Sequence, residues 1–484
     1  MNGLGNDGSG KQSSKEKATP VIQDSSGAGV RKAAPPRSEA VRVAVASLIG
    51  TSVEWYDFFL YGTAAALVFN KLFFPQLDPL VGTIAAFATF SVGFIARPIG
   101  GIVFGHYGDR IGRKKMLYIT LLIMGLATAC IGLLPTYQSV GIWAPILLVV
   151  MRLAQGFGLG GEWGGAVLMA VEHAPPNRRG FFGSFPQIGA YIGLLLSTLV
   201  FRYFSRMPEA TFLSWGWRVP FLLSFILVGV GLYIRKKVAE SPVFEKLKEQ
   251  ASHERAIPKM PILEVIKHPK NILLAMGARF AENGLFYIFT AFALSYVSTQ
   301  LGVDRVVALN GLLIAAAVNI FVGPAWGALS DKLGRRPVYI YGAVACGLLA
   351  FPFFWMLQTR QPWIICLAIL LPLCLGHAAM YGPQAAFFSE LFPAKVRYSG
   401  ASLGYQLASV FAGGLSPLLA TALLAWGGGS PVAVSLYMIA LVLITVVSVG
   451  LTKETFKSGI GPEALPLPSP SPSPAVTHGL PAPA

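Results

Sequence analysis

The chain has 484 residues, 54% of them hydrophobic and only 12% charged, where a soluble domain carries about 25% charged residues. No Asp, Glu, Lys or Arg occurs in 116–151, 306–330, 337–359 or 398–452, and apolar runs of about 18 residues or more are what a bilayer core demands. This excludes a soluble enzyme, a secreted disulfide scaffold and a disordered protein, and leaves an all-α membrane protein.

In chain order, residues 1–41 are polar and basic and predict a disordered tail without a signal peptide. Gly5-Asn-Asp-Gly-Ser-Gly10-Lys11 imitates a phosphate-binding loop. Gln12 stands where a hydroxyl should hold magnesium, and no strand or helix pattern flanks the run, so it reads as tail. Twelve apolar segments follow, at about 42–70, 80–104, 116–135, 142–171, 180–201, 218–235, 272–297, 307–329, 338–357, 363–388, 399–424 and 432–452. The one long polar stretch among them, 236–271, divides the array into halves at 42–235 and 272–452. Residues 453–484 are rich in Pro and Ser and predict a second disordered tail. Cys130, Cys346, Cys366 and Cys374 lie in apolar segments without ligand spacing and read as small core residues.

With both ends on one side, 29 of the 38 basic residues share that side, 6 face the other, and Arg97, Arg152 and Arg279 fall inside helices. The positive-inside rule then makes both termini cytoplasmic and gives +16 an origin that has nothing to do with nucleic acid.

Gly105-His-Tyr-Gly-Asp109-Arg110-Ile-Gly112-Arg113-Lys114 recurs as Gly327-Ala-Leu-Ser-Asp331-Lys332-Leu-Gly334-Arg335-Arg336, at an offset of 222. Glu172-x-x-Pro175-x3-Arg179 recurs as Glu390-x-x-Pro393-x3-Arg397, at 218. Two repeats at nearly one offset describe parallel copies, and parallel six-helix halves with a midplane site between them form one large transporter architecture. On these motifs the chain resembles the major facilitator superfamily. Ala239-Glu240-Ser241-Pro242, Val53-Glu54-Trp-Tyr-Asp57, Ala96-Arg97-Pro98, Gln155-Gly-Phe-Gly-Leu-Gly-Gly-Glu162-Trp and Trp215-Gly-Trp-Arg218-Val-Pro220 resemble its metabolite:proton symporter branch, which includes carriers for shikimate, α-ketoglutarate, citrate and proline or betaine.

The resemblance implies twelve transmembrane helices in two pseudo-symmetric halves, in a monomer of the bacterial inner membrane. It implies a small organic acid and protons as partners, alternating access driven by the proton gradient without a cofactor, and no catalysis or metal. A zwitterion carrier and a non-transporting sensor on the same fold are the alternatives. The resemblance also implies a cytoplasmic latch at Gly105, Asp109, Arg110, Gly112 and Arg113, echoed by Asp331, Gly334 and Arg335.

Charge inside a membrane needs a reason, since it costs at least about 2.5–3.5 kcal/mol at the helix centre. Glu54 lies 12 residues past Arg42, about 18 Å in at 1.5 Å per residue. Asp57 is one turn further and shares its face with Tyr61. Arg152 falls at similar depth on the fourth segment, and the resemblance aligns Asp57 and Arg152 with the carboxylate and arginine used by proton-linked sugar porters. The expectation is an ionised Asp57 paired with Arg152, which protonation releases toward a substrate carboxylate. Arg279 and Glu282 repeat the positions of Glu54 and Asp57 at offset 225. With Arg97, Glu162, Tyr61, Gln187, Tyr381, Gln384 and Gln406 they are the expected cavity residues, whereas His377, alone in an uncharged run, reads as structural. Gly156-x-Gly158-x-x-Gly161 imitates a dinucleotide fingerprint inside an apolar helix, and its spacing reads as close helix packing.

Overall fold

A computed structural model describes residues 37–77, 79–204, 206–236, 265–267 and 269–457. The tails, most of the 236–271 linker with Ala239-Glu240-Ser241-Pro242, and the phosphate-loop imitation lie outside the described residues. Among the described residues, eleven helices are long and apolar enough to cross a membrane. They are α1 (Ala40–Ala64), α2 (Ala88–Ile111), α3 (Lys114–Leu133), α4 (Trp143–Glu172), α5 (Arg179–Phe204), α6 (Glu209–Tyr233), α7 (Pro269–Ser298), α8 (Val306–Leu333), α10 (Pro362–Glu390), α11 (Ala394–Trp426) and α12 (Val432–Gly450). The twelfth span, α9, is broken into Arg335–Leu348 and Ala350–Gln358, bent by 42°. The apolar run at 337–359 hides this break.

Packing puts the two halves side by side. In the first, α1 lies on α5, and α4 lies on α2 and α3; in the second, α7 lies on α11 and α12. The halves meet where α2 packs on α11 and where α5 packs on α8 and α10. The first and second of these seams are related by the internal repeat. Phe321, Leu348 and Trp426 are among many large apolar side chains facing outward, as a lipid-facing wall requires.

The seams are close because their residues are small. A Cβ on Gly156 would lie 2.1 Å from the Gly93 carbonyl oxygen, and one on Gly160 would lie 2.1 Å from that of Arg97. These contacts press α4 onto the backbone of α2, so the glycine spacing serves helix packing. Gly160→Val is therefore expected to cost at least about 1–3 kcal/mol by overpacking, read as a lowered melting temperature of the purified protein. Gly229→Ala meets nothing within 4 Å and should leave the melting temperature unchanged or slightly raised.

The repeated loop motif is less of a loop than its composition predicts. Helix continues through Ile111 in the first copy and through Leu333 in the second, and only Gly112 and Gly334 leave it. Both glycines have positive φ, 125° and 106°, a backbone that side chains with a Cβ resist. Each makes the sharp link that sets the next helix antiparallel.

Candidate transport site and gates

The intramembrane charges gather in two clusters. In the first half, Asp57 is buried on α1 and its carboxylate accepts from the Ser224 hydroxyl of α6 at 2.5 Å. Arg152 does not pair with it. The Arg152 guanidinium donates to Gln155 Oε1 at 3.1 Å and to the Phe90 carbonyl at 3.4 Å, and it packs 4.3–4.7 Å from the ring centres of Phe58, Tyr61 and Phe90. Gly93 makes room for it, since a Cβ there would lie 2.6 Å from Arg152 Nε.

The expected ion pair is replaced by a polar chain. Gln155 Nε2 donates to the Thr128 hydroxyl of α3 at 2.7 Å, and Thr128 also faces the Asp57 carboxyl. Helical depth places Asp57 and Arg152 in one layer, but the rotation of α1 and α4 turns them to different neighbours. Tyr61 likewise faces α2, donating to Thr89 at 2.7 Å, and not a cavity. Glu54 is buried on α1, and Glu162 accepts from Thr51 at 3.3 Å.

The second cluster joins the halves. Arg279 and Glu282 form a buried ion pair at 3.0 Å. Gln384 of α10 donates to Glu282 at 3.0 Å and to the Tyr339 hydroxyl at 2.8 Å, and its Oε1 accepts from Arg279 and from Gln187 of α5, each at 3.3 Å. Gln187 also donates to the Tyr381 carbonyl at 3.1 Å and accepts from the Trp163 indole at 2.8 Å. His377 is built into this network. Its Nε2 lies 3.1 Å from Glu282 Oε1, and its Nδ1 lies 2.6 Å from the Tyr191 hydroxyl of α5. A neutral imidazole with its proton on Nε2 satisfies both contacts, so this histidine bridges the halves. Tyr405 stacks on Trp163 at 3.6 Å, and Arg279 sits 3.1 Å over its other face. Gln406 donates to the Gly160 carbonyl at 3.1 Å.

Beside the second cluster, Arg279, Glu282, His377 and Tyr381, with Trp55, Asn283 and Tyr405 among others, line a cavity of only ≈ 10 Å³, about the space of one water. Of its neutral polar residues the sequence reading names Tyr381 and misses Tyr191, Asn283, Tyr287 and Tyr405, which no motif or buried charge marks. Three of the six π-helical turns among the described residues (Ile288–Phe292, Pro372–His377 and Ser409–Gly414) adjoin Tyr287, contain His377 and follow Gln406. Such turns mark functional places in helices.

At the end carrying the repeats, both seams are closed. The Asp109 carboxylate accepts from the backbone N–H of Tyr398 and Ser399 at 3.2 and 2.9 Å, and from the Ser399 hydroxyl at 2.7 Å. Asp331 accepts from the N–H of Gly180 and Phe181 at 2.8 and 2.9 Å. Each aspartate thus caps a helical turn of the opposite half, where free N–H groups and the helix dipole favour a negative charge. The Glu/Arg repeat is crossed as well: Arg397 meets Glu172 at 3.1 Å, and Arg179 lies 3.9 Å from Glu390. Arg335 stays within its half, holding Asp331 at 2.8 Å and Glu390 at 3.2 Å. Arg110 faces outward toward His106 at 3.3 Å and does not bridge. The Arg113 side chain lies outside the described residues. Gly105 allows the approach, since its Cβ would lie 2.9 Å from the Ser399 Cα.

A membrane bundle of twelve spans in two repeated halves, with buried charge between them and latches across one end, is a carrier. Residues 47–417 match the family model described as Major Facilitator Superfamily. The Escherichia coli (strain K12) shikimate transporter is 45% identical over 421 residues, covering 86% of this chain and 95% of that protein. The inner membrane metabolite transport protein YhjE of the same organism is 43% identical over 427 residues, covering 87% and 96%. Its proline/betaine transporter is 40% identical over 386 residues, covering 78% and 76%. Among solved structures, the proton:xylose symporter XylE bound to 6-bromo-6-deoxy-D-glucose superposes with a TM-score of 0.70 at 20% identity, covering 87% of this chain and 98% of that one. The chain belongs to the major facilitator superfamily, and its function is membrane transport, not catalysis.

Proposed function

We propose that the protein is a proton-coupled symporter that imports a small organic acid across the bacterial inner membrane, as a monomer, by alternating access and without a cofactor. Both termini and the closed gates lie on the cytoplasmic side. The observation that carries the reading is the layer of buried charge between two repeated halves. Asp57, with Arg152 reached through Gln155 and Thr128, is the proton-handling unit, and Glu54 adjoins it on α1. A buried carboxyl must either lose its charge or be compensated, so its surroundings change with its proton. Arg97, Arg279, Glu282 and the residues about them form the substrate cavity. Tyr381 lines it directly, Gln187, Gln384 and Gln406 brace its walls, and Glu162 and Tyr61 stand further off, Tyr61 turned toward α2. Asp109 and Asp331 hold the cytoplasmic gates.

The shikimate transporter's similarity over nearly its whole length favours a hydroxylated organic acid, and the proline/betaine relatives make a zwitterion the competing cargo. Uptake into proteoliposomes decides between them. Labelled shikimate, α-ketoglutarate, proline and glycine betaine are offered with and without an acid-outside pH gradient. The expected result is gradient-dependent accumulation of a hydroxylated acid. Accumulation of betaine alone would establish the competing cargo, and uptake indifferent to the gradient for every compound would end the symporter reading.

A further inference from the structure

Three arginines lie buried in the membrane layer, and their partners differ. Arg279 is held by Glu282 at 3.0 Å. Arg152 spends its donors on Gln155 and the Phe90 carbonyl. Arg97 has a different environment. Its guanidinium lies 4.4 Å from the Phe58 ring centre, 4.1 Å from that of Phe94 and 5.9 Å from that of Trp55. Arg97 Nε and Nη2 have no hydrogen-bond partner among the described residues, although the residue is buried. Aromatic faces offset part of the cost of burying a cation, but they accept none of its N–H protons in full. Native interiors rarely leave such groups unmatched.

Three further such atoms lie at the central cavity. The Tyr287 hydroxyl, which faces the Arg97 guanidinium, the Tyr405 hydroxyl, which faces Arg279, and Asn283 Oδ1 also make no well-aligned hydrogen bond among the described residues, and all three residues line the central cavity. Tyr287 and Asn283 are one turn apart on α7, and the Tyr287 ring packs against Phe94 at 5.5 Å, the same ring that holds Arg97. Trp55 lines the cavity and touches Arg97 as well. Arg97 thus stands directly behind the cavity wall, and a cavity that widens to admit a solute reaches it first through Trp55 and Tyr287.

The vacant capacity has a definite chemistry. Nε–H and an Nη2 proton point the same way from one edge of the guanidinium, the fork that takes both oxygens of a carboxylate. Asn283 Oδ1 needs a donor, and the two phenols accept or donate. Resting on the organic-acid reading above, we infer that Arg97 is the substrate-carboxylate anchor and that the cargo is a hydroxylated monocarboxylate, its hydroxyl groups meeting Asn283, Tyr287 and Tyr405. A betaine offers a carboxylate to the same fork, but its quaternary ammonium has no proton for Asn283 Oδ1 and no hydroxyl for the two phenols. A dicarboxylate needs a second uncommitted cation in the cavity, and Arg279 is already neutralised by Glu282.

Equilibrium binding to the purified carrier, with no gradient present, tests the assignment separately from coupling. Shikimate, its methyl ester and glycine betaine are titrated against intrinsic tryptophan fluorescence, for which Trp55 is the local reporter. The wild type should bind the acid roughly 10- to 100-fold tighter than the ester, the range of a lost charge-assisted pair. Arg97→Gln should lose a similar factor for the acid and bind acid and ester alike. Arg97→Lys, which keeps the charge but not the fork, should fall between. A folded Arg97→Gln protein that still prefers acid to ester overturns the assignment, as does a wild type that binds the ester as tightly as the acid, a comparison needing no variant. Wild-type binding of betaine in preference to the acid would remove the organic-acid reading itself. Intact acid selectivity with gradient-independent uptake would instead remove only the proton coupling.

Discussion

Asp57→Asn is expected to abolish acid-driven accumulation while leaving exchange of labelled for unlabelled substrate intact. Asparagine has nearly the shape of aspartate and still accepts from Ser224 through its carbonyl, so α1 and α6 stay joined. What it cannot do is take up and release a proton. With one proton carried per substrate, each unit of imposed pH difference drives about a tenfold accumulation, because one unit is worth about 1.36 kcal/mol. In the variant the internal concentration should level off at the external one whatever the gradient. Exchange requires only that the loaded carrier reorient, and a permanently neutral side chain permits that. Net concentrative uptake by Asp57→Asn, comparable to the wild type under the same gradient, would show that the proton travels elsewhere. Gln155→Met is a milder companion: it cuts the link between Arg152 and Thr128 without removing the ionisable group of Asp57 or of Arg152. It should shift the pH dependence of uptake before it lowers the maximal rate.

That link was not legible in the sequence. Charge scarcity and the repeat offset placed Glu54, Asp57, Arg152, Arg279 and Glu282 in one layer, because depth along a helix follows from counting residues. Pairing requires knowing how each helix is rotated and which neighbour it meets. Ser224, Thr128 and Gln155 are uncharged and sit in ordinary apolar segments, so nothing marked them as the partners of Asp57 and Arg152. His377 shows the same limit. Alone in a charge-free run it has no visible partner, yet α5 and α7 bring Tyr191 and Glu282 to its two nitrogens. The fold was more accessible, since a run without charge announces a span by itself. The break in α9 escaped because both of its pieces are apolar, so their hydropathy is that of one continuous helix.

The gates carry the other large expected effect. Asp109 and Asp331 each accept two backbone N–H groups from the opposite half, and these contacts require the latched end to be closed. Asparagine keeps an acceptor but loses the charge that suits a helix N-terminus. Each substitution should destabilise the closed state by about 1–3 kcal/mol relative to the open one, roughly a 5- to 150-fold shift of the equilibrium toward the open state at 1.4 kcal/mol per decade. A cysteine at Ser402 reports it, in a protein whose four native cysteines have been replaced. Ser402 is fully buried on α11, against Gly164 of α4, in the closed arrangement. Its alkylation by a water-soluble reagent added on the side of the latches should be slow in the otherwise unchanged protein and faster in Asp109→Asn. Asp331→Asn is the informative partner, because its contact is on the α5–α8 seam, away from α11. If the halves open as rigid bodies, freeing one seam weakens the other, and Asp331→Asn accelerates labelling at Ser402 as well. The double substitution should then add the two free energies, as separated sites do. Labelling that responds to Asp109 alone would mean two independent local latches, and the rigid-body rocking on which alternating access depends would have to be abandoned for this carrier.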